Sequence, residues 1–276
     1  MSMPRFYVGP RWPASIAAYD YVLTLSPSDL AWEFLRRNAQ YQRAYRLSRR
    51  GSERPGRLRG GHPIVRVRRR TVRSIAWGLN TFVDPALPAP EAPLCWLACS
   101  TAPILEALCC RAPGSTFDLA IANLRSAKGV IVGPGREEYV LLGDSDFSFT
   151  LRLRGSRAIC GPVCTTFLLR GIPQATKLAA DFATFGVLLH APMQRGHRSH
   201  HRLLLRDALV ALDARCIGAS HRDVAELIFG GERVREAWSG RGGWLKERVR
   251  RAIATGEMLR DGGYRGALEG SCRFAR

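Results

Sequence analysis

The stretch IGASHRDVAELIFGGERV, Ile217–Val234, decides how the C-terminal part of the chain folds. Ser220 is a good N-cap, and Asp223 stands three residues on, facing the first turn. Val224, Leu227 and Ile228 fall at i, i+3 and i+4, and Gly230-Gly231 stops the helix. A helix this short with one apolar stripe is marginal in water, so it must be packed between neighbours. Upstream, His200–Arg215 carries Leu203, Leu204, Ala208, Ala211 and Leu212 on one side. Downstream come a short piece, Glu232–Trp238, and then WLKERVRRAIATG from Trp244. In that last helix Leu245, Val249, Ala252 and Ile253 form the buried stripe. Lys246, Arg250 and Arg251 lie opposite, with Arg248 beside them and Glu247 the only acid. Short helices that bury one another's stripes while one turns a cationic face outward meet the physical requirement of a helix-turn-helix. The expected DNA contacts are therefore Lys246, Arg248, Arg250 and Arg251, with Arg222 at the start of the supporting helix touching phosphate.

Composition points the same way. Over 276 residues, 42 Lys+Arg against 23 Asp+Glu give a net charge of +19, and only Lys128, Lys177 and Lys246 are lysines. Arginine presents a planar fork of donors suited to phosphate and guanine. A GC-rich genome would also favour arginine over lysine, but it would not create an excess of cations over anions. That excess favours a polyanion partner, here double-stranded DNA. The start MSMPRFYVGPRW holds Pro4 and Pro10 and no apolar run, so it predicts no secretory signal. The longest apolar stretch, Leu94–Cys110, contains Pro103 and Glu106 and is too short to span a membrane. A cytoplasmic protein without membrane contact is expected. The eight cysteines include no C-x2-C pair and read as small buried hydrophobes. His197 and His201 share a helix face, but Arg195, Arg198 and Arg202 surround them without a carboxylate or thiol. This reads as a cationic helix start, so neither a metal nor another cofactor is expected.

The rest of the chain divides by texture into an α+β protein. Residues 1–47 form an N-terminal helical unit, with Ser15–Leu25 as one helix and Ser28 capping the next, DLAWEFLRR. Residues 48–93 read as a basic and Pro-rich linker, although IVRVRRRTVRSIAW within it alternates enough for a strand. Residues 94–190 are the β-rich middle, a small antiparallel sheet drawn from FDLAIANL, GVIV, EYVLLG, FSFTLRLRG and the run after Ile159. GPGRE joins two of these strands as a hairpin turn. A helix from about Pro173 to Leu188 follows, and residues 191–276 are the C-terminal helix-turn-helix domain. No enzyme motif is present; Asp144 and Asp146 in LLGDSDFSF are more simply a turn between strands. The chain reads as a non-enzyme.

Several motifs together resemble a known family. WPASIAAYDY (Trp12–Tyr21), LAWEFLRRNAQYQRAY (Leu30–Tyr45) and WGLNTFVDP (Trp77–Pro85) resemble regulators of bacterial integrative and conjugative elements. GASHRDVAELIFG (Gly218–Gly230), RVRR (Arg248–Arg251) and GGYR (Gly262–Arg265) look like that family's second, helix-turn-helix domain. The family includes excision activators and quorum-sensing antiactivators. The resemblance implies a transcriptional regulator of excision or transfer genes, with RNA polymerase or another regulator as a further partner and a homo-oligomer allowed. Its alternative is an antiactivator that sequesters another regulator through the C-terminal domain. The family pattern does not cover the cysteine-rich segment Cys95–Cys110.

Overall fold

A proline at the first helical position fixes where the first α-helix starts. In the computed structural model, α1 (Pro27–Leu35) is capped by Ser26, whose hydroxyl accepts from the Asp29 amide at 3.2 Å. The expected cap, Ser28, is already inside the helix: Pro27 lacks an amide proton, so it suits the first turn and moves the cap back by two residues. The structure describes residues 15–48, 53–58, 61–67, 72–97, 103–111, 119–124, 126–143, 148–168, 175–190, 200–238 and 243–269.

Ahead of α1, Ile16–Thr24 winds as a 3-10 helix. After α1 ends at Leu35, Asn38 starts the next helix: its side-chain oxygen accepts from the Gln40 and Tyr41 amides, opening α2 (Ala39–Ser48). Leu30, Ala31, Phe34 and Leu35, with Tyr41 and Tyr45, are buried, as the spacing of apolar residues predicts, but Trp32 is buried too, because every residue from Ser28 to Leu35 is covered.

Their partners come from two distant places. One is the Pro-rich segment after the one-turn α3 (Val72–Ile75), whose Leu79, Phe82, Val83, Ala89 and Trp96 enter the same core. That segment was expected as a linker, but Trp32 Nε1 donates to the Leu87 carbonyl and Tyr41 Oη to that of Val83. The other partner is the C-terminal region. Leu205, Leu209 and Leu212 of α5 (His200–Cys216) pack here, as do Leu259, Tyr264 and Leu268. The N-terminal helices and the C-terminal helical region thus share one hydrophobic core. α5 is its axis, with every residue from Asp207 to Ala214 buried. The single apolar side expected for this helix underestimates a helix covered on all sides, and Leu204, expected inside, is 39% exposed.

The middle is a seven-stranded sheet. Its strands are β1 (Glu53–Arg57), β2 (Pro63–Val67), β3 (Ile104–Arg111), β4 (Ala127–Val132), β5 (Glu138–Gly143), β6 (Ser148–Gly155) and β7 (Val163–Leu168). The spatial order is β1-β2-β4-β5-β6-β3-β7. The α+β class stands, and the GPGRE hairpin closes β4 onto β5. The sheet is nevertheless mixed rather than purely antiparallel, since β2 pairs parallel with β4 and β3 parallel with β6. Two of its strands come from the arginine-rich stretch and one from the cysteine-rich segment. FDLAIANL, expected as a strand, gives an isolated bridge at Leu119 and a 3-10 turn at Ile121–Asn123. One sheet face buries Leu105, Val130, Val140 and Leu151 beneath α4 (Ala175–His190), which contributes Phe182 and Phe185. Where the sheet meets α1, Ser28 donates to the Ser148 hydroxyl at 2.8 Å and Lys128 pairs with Asp29. Among the described residues no helix is long and apolar enough to cross a membrane.

Candidate nucleic-acid interface

Four helices build this part from one small core. α6 (His221–Phe229), α7 (Gly231–Ala237) and α8 (Trp244–Met258) gather Val224, Ala225, Val234, Leu245, Val249 and Ile253 against Ala211 and Ala214 of α5. α6 starts as its sequence predicts. The Ser220 hydroxyl accepts from the Asp223 amide at 3.2 Å, and the Ser220 amide donates to the Asp223 carboxylate at 2.8 Å. The Ser220 side chain and the Ser220 amide, both hydrogen-bonding to the carboxylate, hold the Asp223 carboxyl below its ordinary pKa. Gly230, at φ 87°, turns the chain directly from α6 into α7 in a conformation that favours glycine. The α6 stripe is carried by Val224 and Ala225, which are fully buried, whereas Leu227 is half-buried against the first core.

The placement of α8 depends on one close approach. A Cβ on Gly256 would lie 2.7 Å from the Ala208 carbonyl oxygen, so only glycine lets α8 cross α5 at this distance. Beyond α8 the chain kinks at Asp261 and Gly262, where Gly262 takes φ 135°, and continues into α9 (Tyr264–Leu268). Tyr264 Oη donates to the Trp77 carbonyl and Asn38 Nδ2 to that of Arg260, fastening this end onto the N-terminal helices.

α8 presents its cations in three directions. Lys246, Arg248, Arg250 and Arg251 are all exposed. At about 100° per residue, however, Lys246 and Arg248 stand on opposite flanks, roughly 200° apart. Each lies over an aromatic ring. Lys246 Nζ is 5.5 Å from the centre of the Trp238 ring, and the Arg248 guanidinium is 5.0 Å from that of Phe229. Arg250 and Arg251 point further outward. Arg251 meets Glu247 at 3.1 Å across one helical turn, and no described acid pairs with Arg250. Arg222 lies on α6, exposed and paired with Glu226 at 3.0 Å. Exposed pairs of this spacing contribute only about 0.3–0.5 kcal/mol, so either arginine can exchange its carboxylate for a phosphate at little cost.

Sequence reasoning missed the aromatic supports. Phe229 ends α6, Trp238 follows α7 and Trp244 opens α8; the Phe229 and Trp244 rings meet edge to face at 5.9 Å. Arg233 of α7 lies 5.1 Å from the centre of the Trp244 ring. Aromatics at helix ends were visible, but linear spacing does not show which cation each will meet. Of the two histidines considered for a metal, His197 lies outside the described residues. Burial, with Arg202 and His200 beside it, keeps the His201 pKa low. No cluster among the described residues has the groups to hold a metal ion. Asp144 and Asp146 also lie outside the described residues.

Two family models match the chain. Residues 173–268 match one described as "T6SS, Transcription factor, DNA binding domain". Residues 12–80 match one described as "Proteobacterial transcriptional regulator-like domain". No curated protein matches the chain. The first match runs from just before α4 to the end of α9 and so contains the whole α5–α8 unit. Together the two support a two-domain transcriptional regulator with a DNA-binding domain, and with DNA as its partner.

Proposed function

We propose that this protein is a transcriptional regulator that reads duplex DNA with the outward face of α8. In this reading Arg250 and Arg251 reach base edges in the major groove, while Lys246, Arg248 and Arg222 touch phosphates on either side. The observation that carries it is the division of the α8 cations. Two flank residues are steadied over the rings of Trp238 and Phe229, and two more project outward from a helix seated on a glycine contact. A helix held this rigidly is what groove recognition requires. The net charge of +19 supplies the general attraction to a polyanion. The resemblance of its motifs to regulators of integrative and conjugative elements supports excision or transfer genes as its targets.

Chromatin immunoprecipitation with sequencing tests both parts. Enrichment at a few promoters within or beside a mobile element is expected; no enrichment above background would refute DNA reading, and enrichment only elsewhere would refute the target class. On the mapped operator, log affinity should fall linearly with log salt, steepened by about 0.9 for each phosphate neutralised. A slope near zero would instead favour the antiactivator reading, in which the C-terminal domain grips another protein.

A further inference from the structure

A cleft of about 360 Å³ opens between α5, the end of α6 and one flank of α8. Its floor is apolar, made by Leu205, Ile228, Phe229 and Ala252, and Leu204 stands at 39% exposure on its wall. Charge on the lining is unbalanced. Arg248 and Arg251 share the lining with His200 and one acid, Asp207, which pairs with Arg206 at 3.1 Å, and Arg251 meets Glu247 across one exposed helical turn. Burial raises the Asp207 pKa against the opposing pull of Arg206 and Arg248. The size lies at the lower end of the range for small-molecule sites, about 300–1,000 Å³.

We infer that this cleft binds a small amphipathic organic anion, and that the bound anion competes with DNA for Arg248 and Arg251. Each half of the ligand chemistry follows from the lining. An inorganic anion would meet the arginines but leave the apolar floor in water, and a neutral hydrocarbon would fill the floor but give the two guanidinium groups no anion within the cleft. A carboxylate on a short acyl or aromatic body satisfies both. The consequence for DNA follows from the helix. Arg248, Arg251, Ala252 and Thr255 share the cleft flank of α8, while Lys246 and Arg250 lie on the other side. A carboxylate held in the cleft therefore draws off two of the four cations of α8 and leaves its other flank unchanged. Regulation by such an anion rests on the DNA-reading proposal; the cleft itself does not.

Sodium octanoate serves as the probe, with sodium phosphate and 1-octanol as controls at matched ionic strength. Octanoate should raise the melting temperature of the full chain and weaken operator binding at least fivefold, and neither control should do both. Leu204→Gln replaces an apolar part of the cleft wall with a polar, uncharged side chain of similar size on an already exposed position. This variant should bind operator within twofold of wild type while losing most of both octanoate effects. If octanoate shifts neither reading, or if Leu204→Gln responds as wild type does, the inference is overturned. If wild type binds no DNA yet octanoate still raises its melting temperature and Leu204→Gln removes most of that rise, the cleft stands. In that case the DNA reading fails, and with it the competition.

Discussion

In the helical body Arg37 has a side chain only 6% exposed and donates to both oxygens of Asp213, at 2.6 and 2.8 Å. On α8 Arg250 is exposed, and no described acid pairs with it. Both regions are built on α5 and both use arginine, but for opposite ends. Around Arg37, Tyr19 Oη donates to Asp213, Arg36 and Arg37 both donate to Glu33, and the Ala89 amide donates to the other Glu33 oxygen. Two arginines face two acids, so this network is neutral and the net +19 belongs to the rest of the chain. Composition counts every arginine alike; burial separates those that dock the N-terminal helices onto α5 from those exposed to a polyanion.

The largest effect is expected where the buried side of this contrast is broken. Asp213→Asn leaves Arg37 buried with half its pairing gone. Losing one partner of a buried pair costs about 3–5 kcal/mol. Urea unfolding should show a loss of that order, and a change below about 1 kcal/mol would mean that the network does not join the N-terminal helices to α5. Acid should expose the same dependence. Burial alone would raise the Glu33 pKa, but Arg36 and Arg37 hold it at about 2, against an ordinary 4.5. A depressed carboxylate contributes stability that is complete above its unfolded value and lost as pH falls through the folded one. Wild type should therefore lose stability between about pH 4.5 and 2, and Glu33→Gln, weaker throughout, should show a flatter profile over that window. Equal slopes for the two proteins would contradict this.

Two smaller effects probe the exposed side. Gly256→Ala forces a methyl group against the Ala208 carbonyl, and overpacking of this kind costs about 1–3 kcal/mol. Because it lifts α8 from α5, operator affinity should fall along with the melting temperature; unchanged affinity would show that the seat of α8 does not matter for binding. Ser220→Ala removes one half of the capping box and should cost about 1 kcal/mol in a thermal or urea melt. No loss would mean that α6 is fixed by packing alone.

Which parts were legible in the sequence follows the range of the interactions. The α6 cap, the hairpin between β4 and β5 and the α8 stripe depend on residues a few positions apart, and each lies where the pattern predicts. The cap of α1 was misplaced by two residues because Ser26 and Ser28 flank Pro27, and the proline's missing amide decides between them. The parallel pairings of β2 with β4 and β3 with β6 join segments whose own periodicity says nothing of direction. β3 itself was hidden in ILEALCCR, where Glu106 interrupts the apolar run; in the sheet that glutamate is paired with Arg152 at 2.9 Å. Asp213 looked like an ordinary helix residue, since its partner Arg37 is 176 positions away. At the candidate interface the residue types were legible, but their division into ring-supported flanks and an outward pair was not.

The most direct test of the account is a titration of a mapped operator and of a scrambled duplex with wild type and Arg250→Ala, alongside a thermal melt of both proteins. The account predicts a loss of about 1–3 kcal/mol on the operator. It also predicts a clearly smaller loss on the scrambled duplex and an unchanged melting temperature. Equal affinities on the operator, or equal losses on both duplexes, would contradict base reading by α8.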